Sequence, residues 1–223
     1  YHAKGIDLNY CTAGNGAQLP SMAYATFLER VDVLRVLHEL GVDPDTCSEE
    51  IGATAILQAA GQGLVDVIRV LVEIGANVSV PSVDGKSPVF VAAQKGLVDV
   101  IRVLVELGAD ANAPDCNGTT PMYQAACHGQ IEAIRILFKL GANLNTPNDQ
   151  GGTPMHIAAQ QGHKDAVKLL RKLGADVAAE SWFGTAADLA IRKGHTAIAN
   201  ELTRYASQCA GCEKKGTDVK LQA

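Results

Sequence analysis

Residues Leu64 to Gly75 read LVDVIRVLVEIG, and Leu97 to Gly108 read LVDVIRVLVELG, differing only at Ile74 and Leu107. Looser copies run from Arg30 to Gly41 (RVDVLRVLHELG), Gln130 to Gly141 (QIEAIRILFKLG) and His163 to Gly174 (HKDAVKLLRKLG). The closing glycines fall at 41, 75, 108, 141 and 174, in steps of 34, 33, 33 and 33 residues. A period of that length marks a stacked array, in which each unit buries its apolar face against its neighbours. Within one copy, Val67, Ile68, Leu71 and Ile74 recur at helical spacing as a core stripe, widened by Val70 and Val72. A stripe that broad needs cover on more than one side.

The polar positions are as regular. Asp32, Asp66, Asp99, Glu132 and Asp165 each precede a base by three residues: Arg35, Arg69, Arg102, Arg135 and Lys168. Acids in a first helical turn with i,i+3 partners are modest helix stabilisers on a solvated face, not candidate catalytic groups. After each glycine comes a short polar stretch, such as Ala109-Asp110-Ala111-Asn112, then a turn such as Asp115-Cys116-Asn117-Gly118 or Asn148-Asp149-Gln150-Gly151. The first glycine suits a left-handed helix end, and the Asn/Asp-rich tip suits a tight turn. Ser87-Pro88, Thr120-Pro121 and Thr153-Pro154 then place a hydroxyl N-cap before a proline at the first helical position. The unit is turn, short helix, loop, longer helix.

Thr153-Pro154-Met155-His156-Ile157-Ala158-Ala159, followed by Gly162-His163, resembles the signature of the ankyrin repeat. The same frame returns at Thr120-Pro121-Met122-Tyr123-Gln124-Ala125-Ala126 and at Ser87-Pro88-Val89-Phe90-Val91-Ala92-Ala93. The resemblance implies an all-α solenoid with β-turn fingers, of about six helix-turn-helix layers, over residues 16–206. Departures lie at the ends. Ala55 replaces the usual proline after Thr54, and Pro20-Ser21-Met22-Ala23-Tyr24 has no clean motif. Residues 1–15 are expected to hold the tail of a truncated preceding repeat, seen as Gly5-Ile6-Asp7-Leu8-Asn9. The last helix, Thr196 to about Ala206, mixes Asn200, Glu201 and Arg204 with Ile198, Leu202 and Tyr205, as a solenoid cap requires.

Composition narrows the function. Apolar residues make up 47% of the chain and aromatics only 4%, which suits thin layers of Val, Leu, Ile and Ala between short helices. A formal charge of −5 argues against a phosphate-driven nucleic-acid binder, because that mode needs a basic surface. No apolar run reaches the roughly 20 residues that span a bilayer, so no membrane association is expected. Of the six cysteines (Cys11, Cys47, Cys116, Cys127, Cys209, Cys212), four are scattered through a repeat fold with an ample core, which favours free thiols and an intracellular setting, cytoplasm or nucleus. A monomer is expected. Starting at Tyr1 without Met and ending at Ala223, the chain is expected to be a piece of something longer.

No nucleophile elbow, phosphate-cradling loop or paired ligand set is present, so no catalytic residue is assigned and the chain is read as non-enzymatic. In the ankyrin family the partner binds the concave side, made by turn tips and first helices. Carried onto this chain by motif, the partner-binding candidates are Lys86, Gln94, Lys95, Thr119, Cys127, His128, Gln160, Gln161, Arg192 and Lys193, with Glu50, Ile51, Ala53, Gly61 and Gln62 in an earlier layer. These positions change from layer to layer while the second helices barely do. Unconstrained drift would give the same contrast. The surface is read as polar, without a large aromatic hot spot, and suited to an extended peptide or loop of a protein partner. Six of the candidates, Gln94, Lys95, Cys127, His128, Gln160 and Gln161, should form one continuous ridge. The competing class is a substrate-recruiting region of a larger methyltransferase, kinase or ubiquitin ligase.

The tail differs. Cys209-Ala210-Gly211-Cys212 has knuckle spacing, in which two thiolates take two of zinc's four tetrahedral positions. Two spare thiols in a disordered tail, or a thiol redox motif lacking its βαβ setting, are the alternatives. Residues 207–223 resemble the opening of a MYND-type zinc finger, which implies zinc at Cys209 and Cys212 and a finger that takes proline-rich peptides.

Overall fold

The computed structural model describes residues 8–12, 18–48 and 52–216; the side chains of Thr12, Gln18 and residues 208–216 lie outside the description. Gly5 to Asp7 of the expected repeat tail, together with Glu50 and Ile51, also lie outside the described residues. Six helix-loop-helix pairs follow one another: α1 (Ser21–Phe27) and α2 (Val31–Glu39), α3 (Ala55–Gln62) and α4 (Val65–Glu73), α5 (Pro88–Lys95) and α6 (Val98–Glu106), α7 (Pro121–Cys127) and α8 (Ile131–Lys139), α9 (Pro154–Gln161) and α10 (Lys164–Lys172), α11 (Ala186–Arg192) and α12 (Thr196–Gly216). Among the described residues two small antiparallel strand pairs accompany them. Strands β1 (Tyr10–Thr12) and β2 (Gln18–Pro20) pair before α1, and β3 (Glu180–Ser181) and β4 (Gly184–Thr185) pair before α11.

The hydroxyl caps start the first helices as the sequence predicts. Thr54, Ser87 and Thr120 accept from the backbone N–H groups of Leu57, Phe90 and Tyr123 at 3.3, 3.2 and 3.2 Å. Thr54 does so with Ala55 in place of proline, so that exchange removes a pre-set φ but not the helix start. The second helices α2, α4, α6, α8 and α10 each end at a glycine with left-handed backbone: φ is 82° at Gly41, 94° at Gly75, 102° at Gly108, 89° at Gly141 and 98° at Gly174. There the requirement is conformational, since nothing lies within 4 Å of an added Cβ. The last helix runs further than its sequence suggests, to Gly216 rather than Ala206, because Cys209 to Lys215 holds no proline and includes good helix formers.

First helices pack closely from layer to layer, since the paired alanines (Ala59-Ala60, Ala92-Ala93, Ala125-Ala126, Ala158-Ala159) are buried and leave no bulk between neighbours. Second helices bury Ile68 and Leu71, Ile101 and Leu104, Ile134 and Leu137, Val167 and Leu170 in one core that runs from Met22 to Leu202. On the outer loops, Asp43, Asn77, Asp110, Asn143 and Asp176 accept from the N–H two residues on. Asp45, Asn112 and Asn145 reach the N–H of Asn77, Asn143 and Asp176 in the next layer at 2.9, 2.8 and 2.9 Å.

The outer ion pairs correct the i,i+3 expectation in part. Glu132–Arg135 (3.3 Å) and Asp165–Lys168 (3.8 Å) form within their helices. Arg35 reaches Glu73 at 2.9 Å and Arg69 reaches Glu106 at 3.8 Å, both in the following layer, while Asp32 pairs with Arg30. The next-layer position offers Glu73 and Glu106 to the first two arginines but Lys139 and Lys172 to Arg102 and Arg135, so the cross-layer bridge stops where the acid becomes a base. At the far end α12 buries Ile198, Ala199 and Leu202 and exposes Asn200 and Arg204. Arg171 stacks over the Tyr205 ring at 3.6 Å, which ties α10 to this last helix.

Candidate functional site

The concave side is built by the turn tips and the first helices. Successive tips are joined by one backbone hydrogen bond each: Cys116 N–H to Asp84 O (3.0 Å), Asp149 N–H to Asn117 O (3.1 Å) and Trp182 N–H to Gln150 O (3.1 Å). Such a zip needs close backbone approach. At Gly85, with φ of 79°, an added Cβ would sit 2.8 Å from Cys116 N. The tips form a continuous edge on which side chains change while the backbone does not.

Four pairs of predicted residues recur at equivalent places, the last two positions before the glycine that ends each first helix or its cap: Gln94-Lys95, Cys127-His128, Gln160-Gln161 and Arg192-Lys193. In the first three pairs the leading residue is half-buried and the second exposed; Arg192 and Lys193 are both exposed. The backbone of this row is stapled between layers. Lys95 Nζ donates to Gly61 O at 2.6 Å, Gln130 Nε2 to Gln94 O at 3.2 Å, and His163 Nε2 lies 2.9 Å from Cys127 O. His163 thus acts as scaffold. Burial raises the Cys127 thiol above its ordinary pKa, so it is no thiolate nucleophile. Lys86 is held by Asp84 at 3.0 Å. Thr119 is the exception in the set: it is 9% exposed, with its N–H donated to Asp115 Oδ1 at 2.9 Å, and offers a partner little surface.

Between the tips and first helices of the last three layers lies a cleft of about 460 Å³. Gln160, Arg192 and Lys193 line one wall, Asn148, Gln150 and Ser181 the tip side, and Tyr123, Phe183 and Leu189 supply apolar surface. The neighbours are positioned by strong local bonds. Asn148 Oδ1 accepts from Gln150 and Gly152 N–H at 3.1 and 2.8 Å, and Ser181 Oγ donates to Gly184 O at 2.7 Å across the β3–β4 hairpin. Burial, then the neighbouring Cys127 and Asp115, pushes the Tyr123 phenol up to about 12, so it stays a neutral donor and acceptor. His156 sits at the cleft's base, 2% exposed. Its Nδ1 accepts from Thr153 N–H at 3.2 Å and lies 2.8 Å from the Thr153 hydroxyl, which puts the ring proton on Nε2. Burial lowers the His156 pKa, and the backbone of Gly184 and Ala179 tempers the drop without closing a hydrogen bond to Nε2.

The aromatic content of this end departs from the expected polar surface. Trp182 is 76% exposed and Phe183 50% exposed at the tip of the β3–β4 hairpin. A two-residue turn with no inward partner leaves both rings outside the core, a consequence visible only once the hairpin is formed. A second, smaller hollow of about 320 Å³ at the first layer is lined by Pro20, Ala23, Tyr24 and Phe27 together with Ser48 and Gln58.

Among the described residues there is no group of three His, Cys, Asp or Glu side chains that could hold a metal ion. Cys11, Cys47, Cys116 and Cys127 are free thiols. The backbone through Cys209 and Cys212 belongs to α12, and their side chains lie outside the described residues. No described helix is long and apolar enough to cross a membrane.

A search of curated proteins finds no match. The family described as Ankyrin repeats (3 copies) matches over residues 21–115, 107–181 and 148–218, which together take in all six helix pairs. Such repeats mediate protein–protein interaction and are typically non-catalytic. The capped first helices, the zipped tips, the periodic left-handed glycines and that match agree: the chain belongs to the ankyrin repeat family.

Proposed function

We propose that the chain is a scaffold that holds a protein partner against its concave face, with the row Gln94-Lys95, Cys127-His128, Gln160-Gln161 and Arg192-Lys193 as the contact ridge. The observation that carries this reading is the division of labour along the repeat. The outer helices α4 and α6 are identical in sequence, VDVIRVLVE, whereas the ridge changes chemistry in every layer over an unchanged backbone. Varying side chains on a rigid, pre-organised edge are what recognition of an extended peptide needs, because little ordering entropy remains to be lost on binding.

The test is affinity capture of the native partner by the wild-type chain and by a variant with Gln94, Lys95, Cys127, His128, Gln160 and Gln161 all changed to alanine. Capture should fall sharply while thermal unfolding stays nearly unchanged. A companion variant altered only at the outer Arg69, Glu106 and Lys139 should capture as wild type does. Equal capture by all three proteins overturns the reading.

We propose further that Cys209 and Cys212 supply two thiolates to a zinc ion, in the manner of the MYND-type finger their spacing resembles, with proline-rich peptides as the finger's ligands. Two thiolates are half of a tetrahedral set, so the site needs two further donors. Zinc retained through dialysis by the protein as the cell makes it, and lost in C209S/C212S, supports the site. No retained zinc removes it.

A further inference from the structure

The cleft of the last three layers differs in charge from the chain around it. The protein carries 24 acidic residues against 19 basic ones, yet the cleft lining holds Arg192 and Lys193 and no Asp or Glu. Other cations of the concave side are already engaged: Lys86 with Asp84, and Lys95 with the Gly61 carbonyl. Among the described residues neither Arg192 nor Lys193 forms a salt bridge. The carboxylate that acts on Arg192 through space, Asp188, has its Oδ2 occupied by the Thr185 N–H and hydroxyl at 2.9 and 2.7 Å. Two exposed cations lining a concave site, neither of them in a salt bridge among the described residues, form a local positive potential in an otherwise acidic chain.

Beside them is apolar surface of the right size for one anchor. The half-exposed Phe183, the nearly buried Leu189 and the Tyr123 ring all line the cleft. A volume of about 460 Å³ lies within the roughly 300–1,000 Å³ of ligand sites. An isolated exposed Phe would mean little. A Phe and a Leu that share a cleft lining with two cations outside any salt bridge define a ligand with an apolar group next to negative charge.

We infer that this cleft takes an acidic peptide segment of the partner, with one large apolar side chain set against Phe183 and Leu189 and flanking carboxylates met by Arg192 and Lys193. The inference rests on the concave-face reading above and names the chemistry of its ligand at one end. Arg192 can hold a carboxylate through two parallel N–H donors, while Lys193 supplies a mobile point charge. Continuity with Gln160 gives the rest of the peptide hydrogen-bonding partners along the ridge.

The chain contains a single tryptophan, Trp182, next to Phe183 on the hairpin tip, so its emission reports on this cleft. The experiment titrates the full chain with a short fluorescein-labelled peptide carrying one Leu among Glu residues, read by anisotropy, with the unlabelled peptide read by Trp182 emission. Saturable binding is expected, weakened about tenfold or more by R192E/K193E, by Phe183→Ala, and by replacing the peptide's Glu residues with Gln. Added salt should weaken it as well. Arg192, Lys193 and Phe183 are solvent-exposed, and circular dichroism of each variant confirms an intact fold. Equal binding of the Gln peptide, or of the acidic peptide to R192E/K193E, overturns the charge assignment, as does no binding. If the peptide fails while the six-site ridge variant still loses its native partner, the concave-face reading stands and this inference falls. If the peptide binds through Arg192 and Lys193 while ridge substitution leaves capture intact, the inference holds and the ridge reading falls.

Discussion

The two halves of each layer repeat with the same period and share one core, but they keep different things constant. In the second helices the side chains are kept: α4 and α6 are the same nine residues, and their Ile and Leu pairs are 0% exposed. In the first helices and tips only the backbone is kept, by hydroxyl caps, tip-to-tip hydrogen bonds and small residues, while the outward pair before each glycine runs Gly-Gln, Gln-Lys, Cys-His, Gln-Gln and Arg-Lys. A repeat protein can separate stability from recognition in this way because each layer touches only its neighbours. Substitutions in the two halves should therefore separate cleanly into effects on unfolding and effects on binding.

The largest stability effect is expected at the second-helix core. Leu104 is wholly buried in α6, so Leu104→Ala removes its side chain from a close-packed interface and should cost about 2–5 kcal/mol. Urea unfolding measures it; acidic-peptide affinity, read where the protein remains folded, should not move. A loss of affinity as large as the loss of stability would break the comparison. Next comes the first-helix stack, where Ala126 is wholly buried on the side that faces neighbouring first helices. Ala126→Leu adds bulk where no space exists and should cost about 1–3 kcal/mol. It should also spread the tips, so here affinity is expected to fall along with the urea midpoint.

The fold was legible because its signals are local. Closing glycines, Ser/Thr-Pro starts and the Val-Ile-Leu stripe each act within a few residues, and the six helix pairs follow from them. The outer ion pairs were only half legible, since the i,i+3 rule sees Asp66 beside Arg69 but not Glu106, which lies one layer away and at 3.8 Å. Thr119 looked like a tip residue, yet its N–H donation to the Asp115 side chain folds it inward. The cleft was the least legible. Tyr123, Gln160, Phe183 and Arg192 come from three layers and converge only when the stack is built. One signal was present: Trp182-Phe183 places two aromatics side by side in a chain that is 4% aromatic.

A smaller effect should appear at His156, which holds the Thr153 cap of α9. His156→Ala removes the acceptor that holds the Thr153 cap and should cost about 1 kcal/mol at neutral pH. Its pH dependence distinguishes a buried imidazole from a mere spacer. Burial sets the folded pKa below the unfolded value near 6.5, so the unfolded chain binds the proton more readily. The stabilisation is therefore complete above about 6.5 and declines as pH falls toward the folded pKa. Urea midpoints taken from pH 8 to 5 should converge between wild type and variant as the solution is acidified. Parallel curves would mean that folding leaves the His156 pKa unshifted.

The smallest expected effect is a gain, and it arises on the outer loops. Asp45, Asn112 and Asn145 each carry a side-chain oxygen to the N–H of the next layer, but Ser79 occupies the same place in the second full repeat and makes no such bond among the described residues. A serine hydroxyl is one bond shorter than an asparagine carbonyl, so it falls short of Asp110 N–H, the group that stands where Asn77, Asn143 and Asp176 stand. Ser79→Asn should close that gap and raise stability by about 0.5 kcal/mol, toward the low end for a hydrogen bond because the loop is exposed. The check is a higher urea midpoint at unchanged slope, reversed in sign by Asn112→Ala one layer on. Acidic-peptide binding should be the same in all three proteins, because this row of oxygens belongs to the outer loops. A change in affinity would show that the outer loops set the spacing of the tips, and would join the two halves that the other substitutions separate.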